Sequence, residues 1–320
     1  MRVFVAGASG TIGRRLVPQL IERGHEVIGT STSPASAGRV RAMGAEPVQL
    51  DLLDPGAVRR AVLETKPDAI VHQATALANM RFSRSLDRTF APTNKLRTDG
   101  TDALLAAARE AGVTRFVAQS FASYRYVREG GWVKTEDDPL DPAPAAAARE
   151  TNEAMTHLER AVTGAGGIAL RYGGFYGDEN WMIQAVRKRR YPVVGAGEGY
   201  TSWIHLDDAA AATVIALDHD GPAIYNIVDD EPAAMNEWMP ELAKALGAKP
   251  PRRIPLWLAK LVAGGGMVMM SNGSRGASNA KAKRELGWAP RYPSWRQGFA
   301  AAYGQAMAAD GPRSHPARSS

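Results

Sequence analysis

The sequence predicts an α/β fold built on a doubly wound parallel sheet, with a smaller C-terminal α+β lobe. Three observations carry this. Short apolar runs alternate with amphipathic stretches through the first half of the chain, the pattern of strand–helix–strand units with right-handed crossovers. The runs Asp68-Ala69-Ile70-Val71-His72 and Arg115-Phe116-Val117-Ala118 are short and apolar without alternation, as strands covered on both faces should be. Finally, the first apolar run ends in three spaced glycines, Gly7, Gly10 and Gly13, at the start of a helical pattern.

In chain order, strands are expected at about 2–6, 25–30, 46–50, 68–73 and 113–119. Helices are expected at about 11–23, 35–43, 56–65 and 95–111. A polar, proline-bearing stretch at 128–144 leads to a helix near 145–163, which Gly164-Ala165-Gly166-Gly167 stops before a strand at 167–172. Beyond Tyr172 the periodicity loosens, with helices near 180–190, 207–218, 235–246, 279–286 and 294–308 and short strands near 201–205 and 223–228. This divides the chain into a nucleotide-binding domain at 1–172 with return segments at about 200–228, a substrate lobe at 173–309, and a tail at 310–320. The tail, rich in Pro, Arg and Ser, is expected to be disordered.

Composition narrows the chemistry. The chain has 320 residues, 45% of them hydrophobic and 22% charged, and no cysteine. Disulfides, zinc–thiolate sites, iron–sulfur clusters and thiol nucleophiles are thereby excluded, and a cytoplasmic address is expected. The longest nearly uncharged run, Ile254 to Met270, is broken by Pro255, Lys260 and Gly264-Gly265-Gly266, so no membrane span or membrane partner is expected. A net charge of +6 is spread without a basic, aromatic-interleaved stripe, which argues against nucleic acid as a partner. There is no Gly-x-Ser-x-Gly elbow and no His-Glu-x-x-His helix, so serine hydrolysis and zinc proteolysis lack support.

The glycines point to a dinucleotide. Gly7 permits a tight turn, Gly10 lets backbone approach a pyrophosphate at the helix N-terminus, and Gly13 allows close packing of helix on sheet. Ser9, Thr11 and Ile12 complete that turn. An NAD site commonly places an acidic residue about 20 residues beyond the glycines. Here no acid lies between Val27 and Glu46. Ser31 and Thr32 could bond a 2′-phosphate, and Arg14 or Arg39 could supply charge, so NADP is preferred over NAD.

With these residues in view, the chain resembles the extended short-chain dehydrogenases/reductases, the NAD-dependent epimerase/dehydratase family, over about residues 2–305. Besides the Gly7–Gly13 turn, the marks are Asp51-Leu52, similar to the pair beside the adenine, and His72-Gln73-Ala74-Thr75-Ala76, similar to the loop over the phosphates. Gly100-Thr101 with Leu104 to Ala108 resembles the helix before the fifth strand. Trp203 to Ala209, Tyr225-Asn226-Ile227 and Glu285 to Pro290 resemble landmarks of the substrate lobe. The resemblance implies a Rossmann-type domain, places Asp51, Leu52, Ala74, Thr75 and Ala76 on the cofactor, and implies an NAD(P)H-dependent oxidoreductase of the atypical extended type. The reaction expected is reduction of a carbonyl on a small or medium organic molecule. The alternatives are an epimerase or dehydratase that keeps its cofactor bound, and a non-catalytic NADP-binding scaffold or sensor.

The family's Tyr-x-x-x-Lys signature is missing. None of the nine tyrosines has a lysine four residues later. Counting back from Arg171 puts the tyrosine position near Ala145 and the lysine position near Arg149, which could still hold the nicotinamide ribose. The expected acid is therefore sought in the loop after the fifth strand, where Ser120, Ser123, Tyr124 and Tyr126 are the catalytic candidates; Tyr172 and Tyr176 lie past the sixth strand. His205, Asp207 and Asp208 read as a helix N-cap, with Asp207 as the acceptor, rather than as metal ligands, and no metal is expected. Arg187-Lys188-Arg189-Arg190 reads as cations at a helix C-terminus. Met267, Met269 and Met270, among glycines, could form a movable apolar wall. The partners expected are an apolar small-molecule substrate and a second copy in a homodimer.

Overall fold

In the computed structural model, residues 1–77, 83, 85–122, 125–262 and 264–304 are described. Seven parallel strands form the central sheet: β1 Arg2–Ala6, β2 Glu26–Ser31, β3 Glu46–Gln49, β4 Ala69–His72, β5 Arg115–Phe121, β6 Ile168–Tyr172 and β7 Ala223–Ile227. Their spatial order is 3-2-1-4-5-6-7. The order reverses between β1 and β4, so their carboxyl ends open a crevice, the place where such sheets take ligands.

Helices cover both faces. α1 Gly13–Glu22, α2 Pro34–Ala42, α3 Pro55–Thr65, α4 Leu86–Lys95, α5 Thr101–Ala111 and α6 Arg149–Gly164 alternate with the first six strands. Caps set their starts. Asp54 accepts the Ala57 N–H at 3.0 Å, and Ser33 forms a capping box with Ser36 before Pro34, which matches the preference for short polar acceptors and an early proline. One side of the sheet packs around Val3, Val5, Leu16, Val17 and Val71. The other packs around Phe4, Ile70, Val62, Leu104 and Leu158.

Two departures from sequence periodicity stand out. The helical stretch expected from about 95 begins at Leu86, capped by Ser85. Pro92 lies inside it, and a π turn at Leu96–Gly100 joins it to α5. A proline removes one ladder bond and crowds the preceding turn, which disguises the helix in sequence. The second departure lies in the lobe. After α7 Trp181–Arg187, α8 Leu206–Ala216 and α9 Met235–Ala245 come α10 Leu256–Val262 and α11 Gly264–Asn272. α11 opens with three glycines, poor helix formers, so packing rather than propensity holds it. α12 Ala280–Leu286 and α13 Trp295–Tyr303 follow.

The lobe has its own core, with Trp203, Trp238, Trp295 and Phe299 packed together. Trp203–His205 pairs with Gly174–Tyr176 outside the main sheet, and Gly276–Ala277 pairs with Val133–Lys134. No helix among the described residues is long and apolar enough to cross a membrane.

Candidate active site

The turn after β1 is shaped by backbone. Gly7 has φ +90°, and a Cβ there would stand 2.7 Å from the Ala74 Cα, so the turn and the loop after β4 form one close-fitting floor. A Cβ on Gly13 would lie 2.4 Å from the carbonyl oxygens of Gly7 and Ala8, which only glycine avoids. Gly10 differs. It is exposed, and a Cβ there meets only the Gly7 carbonyl, at 3.2 Å. The fold itself thus has little need of glycine at position 10, whereas a ligand lying on that turn does.

The Gly10 N–H closes the turn on the Gly7 carbonyl at 3.0 Å, while the Ser9, Thr11 and Ile12 amides have no acceptor among the described residues. Ser9 is half-buried, Thr11 exposed and Ile12 buried. Free amides at a helix start attract a pyrophosphate, so this turn fits a dinucleotide. The Thr30 hydroxyl accepts the Gly7 N–H at 2.9 Å and fixes the turn against β2.

The end of β2 bears on the 2′ position. The Ser31 hydroxyl is buried and has no partner among the described residues. Thr32 is exposed. Arg14 pairs with Asp178 at 3.3 Å, which takes it away from the expected role, whereas Arg39 is exposed on α2 with no carboxylate within 4.0 Å among the described residues. Asp51 is exposed and accepts the Leu53 N–H at 3.0 Å; Leu52 is buried beside Gly100. Ala74 and Thr75 are half-buried and Ala76 exposed, with the Ala76 N–H on the Thr93 hydroxyl at 3.1 Å. Beneath them, the His72 Nε2 bonds the Leu96 carbonyl at 3.1 Å, in the π turn. Complete burial holds the His72 imidazole neutral, its pKa pushed down to about 4.

The loop after β5 is built differently, around a buried ion cluster. Glu159 on α6 accepts the Ser120 hydroxyl at 2.6 Å, Arg171 Nε at 2.9 Å and Arg171 Nη2 at 2.8 Å, and the Arg125 guanidinium. All four side chains are almost fully buried. Although desolvation opposes ionisation, the two guanidiniums hold the Glu159 carboxyl down at about 2. Arg171 also donates to the Tyr126 hydroxyl at 3.2 Å, and that hydroxyl donates to Asn226 Oδ1 at 2.9 Å.

This corrects two expectations. Tyr126, expected as a proton donor, and Ser120, expected to orient the substrate oxygen, are both committed inside the cluster. Each spends its one proton on a buried acceptor, and burial pushes the Tyr126 phenol up. The sequence concealed this because their partners come from α6, β6 and β7, 39 to 100 residues away. Ser123 and Tyr124 lie outside the described residues. Tyr172 is also committed: its hydroxyl takes Gln73 Nε2 at 3.0 Å and bonds Thr213 at 2.6 Å. Tyr176 packs against Gly298 and His205 in the lobe core.

α6 starts at Arg149, so Ala145 precedes it and Arg149 is exposed on its first turn. The inward stripe is Thr151, Asn152, Met155, Leu158 and Glu159; Arg149, expected on the ribose, stands outside it. Both the N–H and the hydroxyl of Thr151 donate to Asp87 Oδ1 at 2.8 Å, and Asn94 Nδ2 donates to the Thr151 hydroxyl at 3.1 Å. Met155 is fully buried against Met269, with Leu86, Phe121, Ala145 and Met270 around them. No sequence rule pairs Met155 with Met269; the lobe had to close on α6 first.

Of the three residues weighed as ligands, two serve backbone, and the Asp207 carboxylate pairs with Arg15 at 3.6 Å. The His205 Nδ1, rather than Asp207, accepts the Asp207 N–H at 3.2 Å as the cap of α8. Asp208 accepts the Arg291 and Tyr292 amides at 2.8 and 3.0 Å. At the end of α7, Arg187 pairs with Glu179 at 2.8 Å.

A switch-point crevice and a glycine turn with free amides define a dinucleotide-binding α/β enzyme. The chain belongs to the NAD dependent epimerase/dehydratase family, whose model matches residues 3–228. It is 40% identical over 315 residues to a 3-diazoavenalumate denitrifying reductase of a Streptomyces species, covering 93% of this chain and 99% of the relative. A 4-hydroxy-2-methyl-3-oxo-4-farnesyl-3,4-dihydroquinoline-1-oxide ketoreductase of Stigmatella aurantiaca is 27% identical over 257 residues, 78% of this chain and 74% of the relative. Among solved structures, a Thermotoga maritima UDP-glucose 4-epimerase aligns with a TM-score of 0.74 at 21% identity, covering 97% of this chain and all of that one. The chain is an NAD(P)-dependent oxidoreductase of this family.

Proposed function

We propose that the chain reduces an acceptor that needs hydride but no proton from the protein, a diazo group on an organic substrate. The observation that carries this is the inward face of α6. Where the resemblance leads one to look for a tyrosine and a lysine four residues apart, near 145 and 149, stand Ala145 and an exposed Arg149, and the buried face of the helix begins only beyond them. An alanine has no proton to give and a guanidinium does not release one, while the first buried hydroxyl of the helix, that of Thr151, is already bonded to Asp87 and Asn94.

The balance of the reaction supports the reading. Reduced nicotinamide dinucleotide supplies a hydride when bound. A carbonyl that accepts hydride becomes an alkoxide and requires a proton. An aryl diazonium carbon that accepts hydride forms a C–H bond as the C–N bond breaks, and dinitrogen leaves with the bonding pair; no proton enters. The chain's own work is then to hold the acceptor against the nicotinamide and to exclude water, a positioning task. The 40%-identical relative is named for reduction of a diazo compound.

NADP is the dinucleotide we favour, supported by the partnerless Ser31 hydroxyl, exposed Thr32 and unpaired Arg39 at the end of β2. The test is a specifically deuterated reduced dinucleotide with an aryl diazonium salt. Deuterium on the ring carbon, dinitrogen release and a rate far above the protein-free control are expected. Loss of diazonium without deuterium transfer would overturn the reading.

Carbonyl reduction is the second reading, favoured by relatives named as ketoreductase and 2-alkyl-3-oxoalkanoate reductase at 27% identity. Tyr124, with Ser123 beside it, would be its acid. Tyr124→Phe separates the two: ketone turnover falls with it, and diazonium turnover does not.

A further inference from the structure

A pair of cations stands where the methionine wall ends. α11 carries Met269 and Met270 and closes in a turn, with the Gly273 and Ser274 amides on the Met269 carbonyl at 2.7 and 3.0 Å. A Cβ on Gly273 would lie 3.4 Å from both that carbonyl and the Nε of Arg128, so the Arg128 guanidinium rests on the turn that ends the wall. Arg275, two residues further on, stacks over the Trp132 ring at 4.0 Å from its centroid, and its Nη2 donates to the Arg128 carbonyl. Trp132 in turn stacks on Tyr200 at 5.2 Å. The pairing of Gly276–Ala277 with Val133–Lys134 locks the two segments side by side.

The two guanidiniums are close enough to feel each other. Desolvation, and then the Arg128 charge, lower the proton affinity of Arg275. Among the described residues no carboxylate lies within 4.0 Å of either, although thirteen other arginine–carboxylate pairs occur among them. The Arg275 Nε is buried without a partner. Like charges held together repel, Glu129 offsets this for Arg275 only from beyond 4.0 Å, and a planar guanidinium fork is the side chain best suited to take a carboxylate. Solvated surface arginines would account for Arg128 alone. They do not account for an Arg275 that is stacked, oriented by a main-chain carbonyl and half withdrawn from water.

We infer that Arg128 and Arg275 bind the carboxylate of an aromatic or conjugated acid whose apolar body lies along Phe121 and Met270, the half-buried edge of the Met155–Met269 cluster. The assignment deepens the reductase reading and rests on it for the position of the reacting group. Apolar surface without donors accepts a planar hydrocarbon body, thioethers favour aromatic rings, and the cations at one end fix which way round the molecule lies.

The test is binding, independent of turnover. Cinnamate and methyl cinnamate are titrated calorimetrically into dinucleotide-saturated wild type, Arg128→Gln, Arg275→Gln and Met270→Ala. Cinnamate should bind wild type about tenfold or more tighter than its ester, since a hydrogen bond to a charged group is worth that much. Each glutamine variant should lose about that factor for the acid and nothing for the ester. Met270→Ala should weaken both ligands alike. Equal binding of acid and ester by wild type, acid binding undiminished in both glutamine variants, or binding of neither ligand would each overturn the assignment. Arg128 is exposed, so its variant tests the site even if Arg275→Gln disturbs the Trp132 stack. If the acid binds as expected and no acceptor is reduced, the anion site stands and the reductase reading fails.

Discussion

Two parts of one sheet edge are built on opposite plans. The turn after β1 is made of backbone: glycine conformations, free amides and a helix start within seven residues. The loop after β5 is made of side chains: a carboxylate, two guanidiniums, a phenol and an amide gathered from β5, its loop, α6, β6 and β7. The first presents its polar groups to a ligand. The second spends most of its polar groups on one another, with Arg125 Nε and Asn226 Nδ2 left over, and beside it only the half-buried edge of a methionine cluster, Phe121 and Met270, faces outward. A site whose protein groups are used up in this way is suited to positioning rather than to proton transfer.

The largest effect should come from breaking the buried cluster. Glu159→Ala leaves Arg125 and Arg171 nearly buried without their carboxylate, which typically costs about 3–5 kcal/mol. Denaturant unfolding should show this loss, and a variant of unchanged midpoint would mean that the cluster is solvated in solution. Next, Gly10→Asp should fold, since the chain around it tolerates a Cβ, but dinucleotide affinity should fall at least about a hundredfold from bulk and negative charge at a pyrophosphate site. Calorimetry on the folded variant decides this, and Gly13→Ala is the contrast, because its Cβ strikes backbone and should cost stability as well.

Acid should act on both regions in succession. The His72 pKa is lowered on folding, to about 4 from its ordinary 6.5. The unfolded chain therefore binds the extra proton first, and stability present above about pH 6.5 drains away as the pH falls towards 4, by up to about 3 kcal/mol. Glu159 is held down at about 2 against an ordinary 4.5, so its contribution persists until the pH falls below about 4.5 and is lost towards 2. Urea midpoints against pH should show the first slope flattened in His72→Gln and the second kept. The smallest effect is expected for Tyr126→Phe. It removes a phenol that bridges Arg171 and Asn226, costing about 1 kcal/mol of stability while leaving turnover per folded molecule within about twofold. A loss of turnover beyond about a hundredfold, the scale of lost acid catalysis, would restore Tyr126 as the proton donor.

The sequence alone determined the doubly wound sheet, the glycine turn and the missing acid at the end of β2. Each is written in residues close together in the chain: a strand's apolar run, a positive-φ glycine, a helix start. Only the tertiary structure decided what Ser120 and Tyr126 do. Whether a hydroxyl is a free donor or a spent one depends on which acceptor folds against it, and Glu159 and Asn226 are 39 and 100 residues distant. It also decided that Met155 and Met269 meet, and that Arg128 and Arg275 lie side by side with no carboxylate within 4.0 Å among the described residues. Local conformation follows from local sequence because it is set by φ, ψ and neighbouring hydrogen bonds. Partnership in a buried site is set by packing across the whole chain, and no short-range pattern records it.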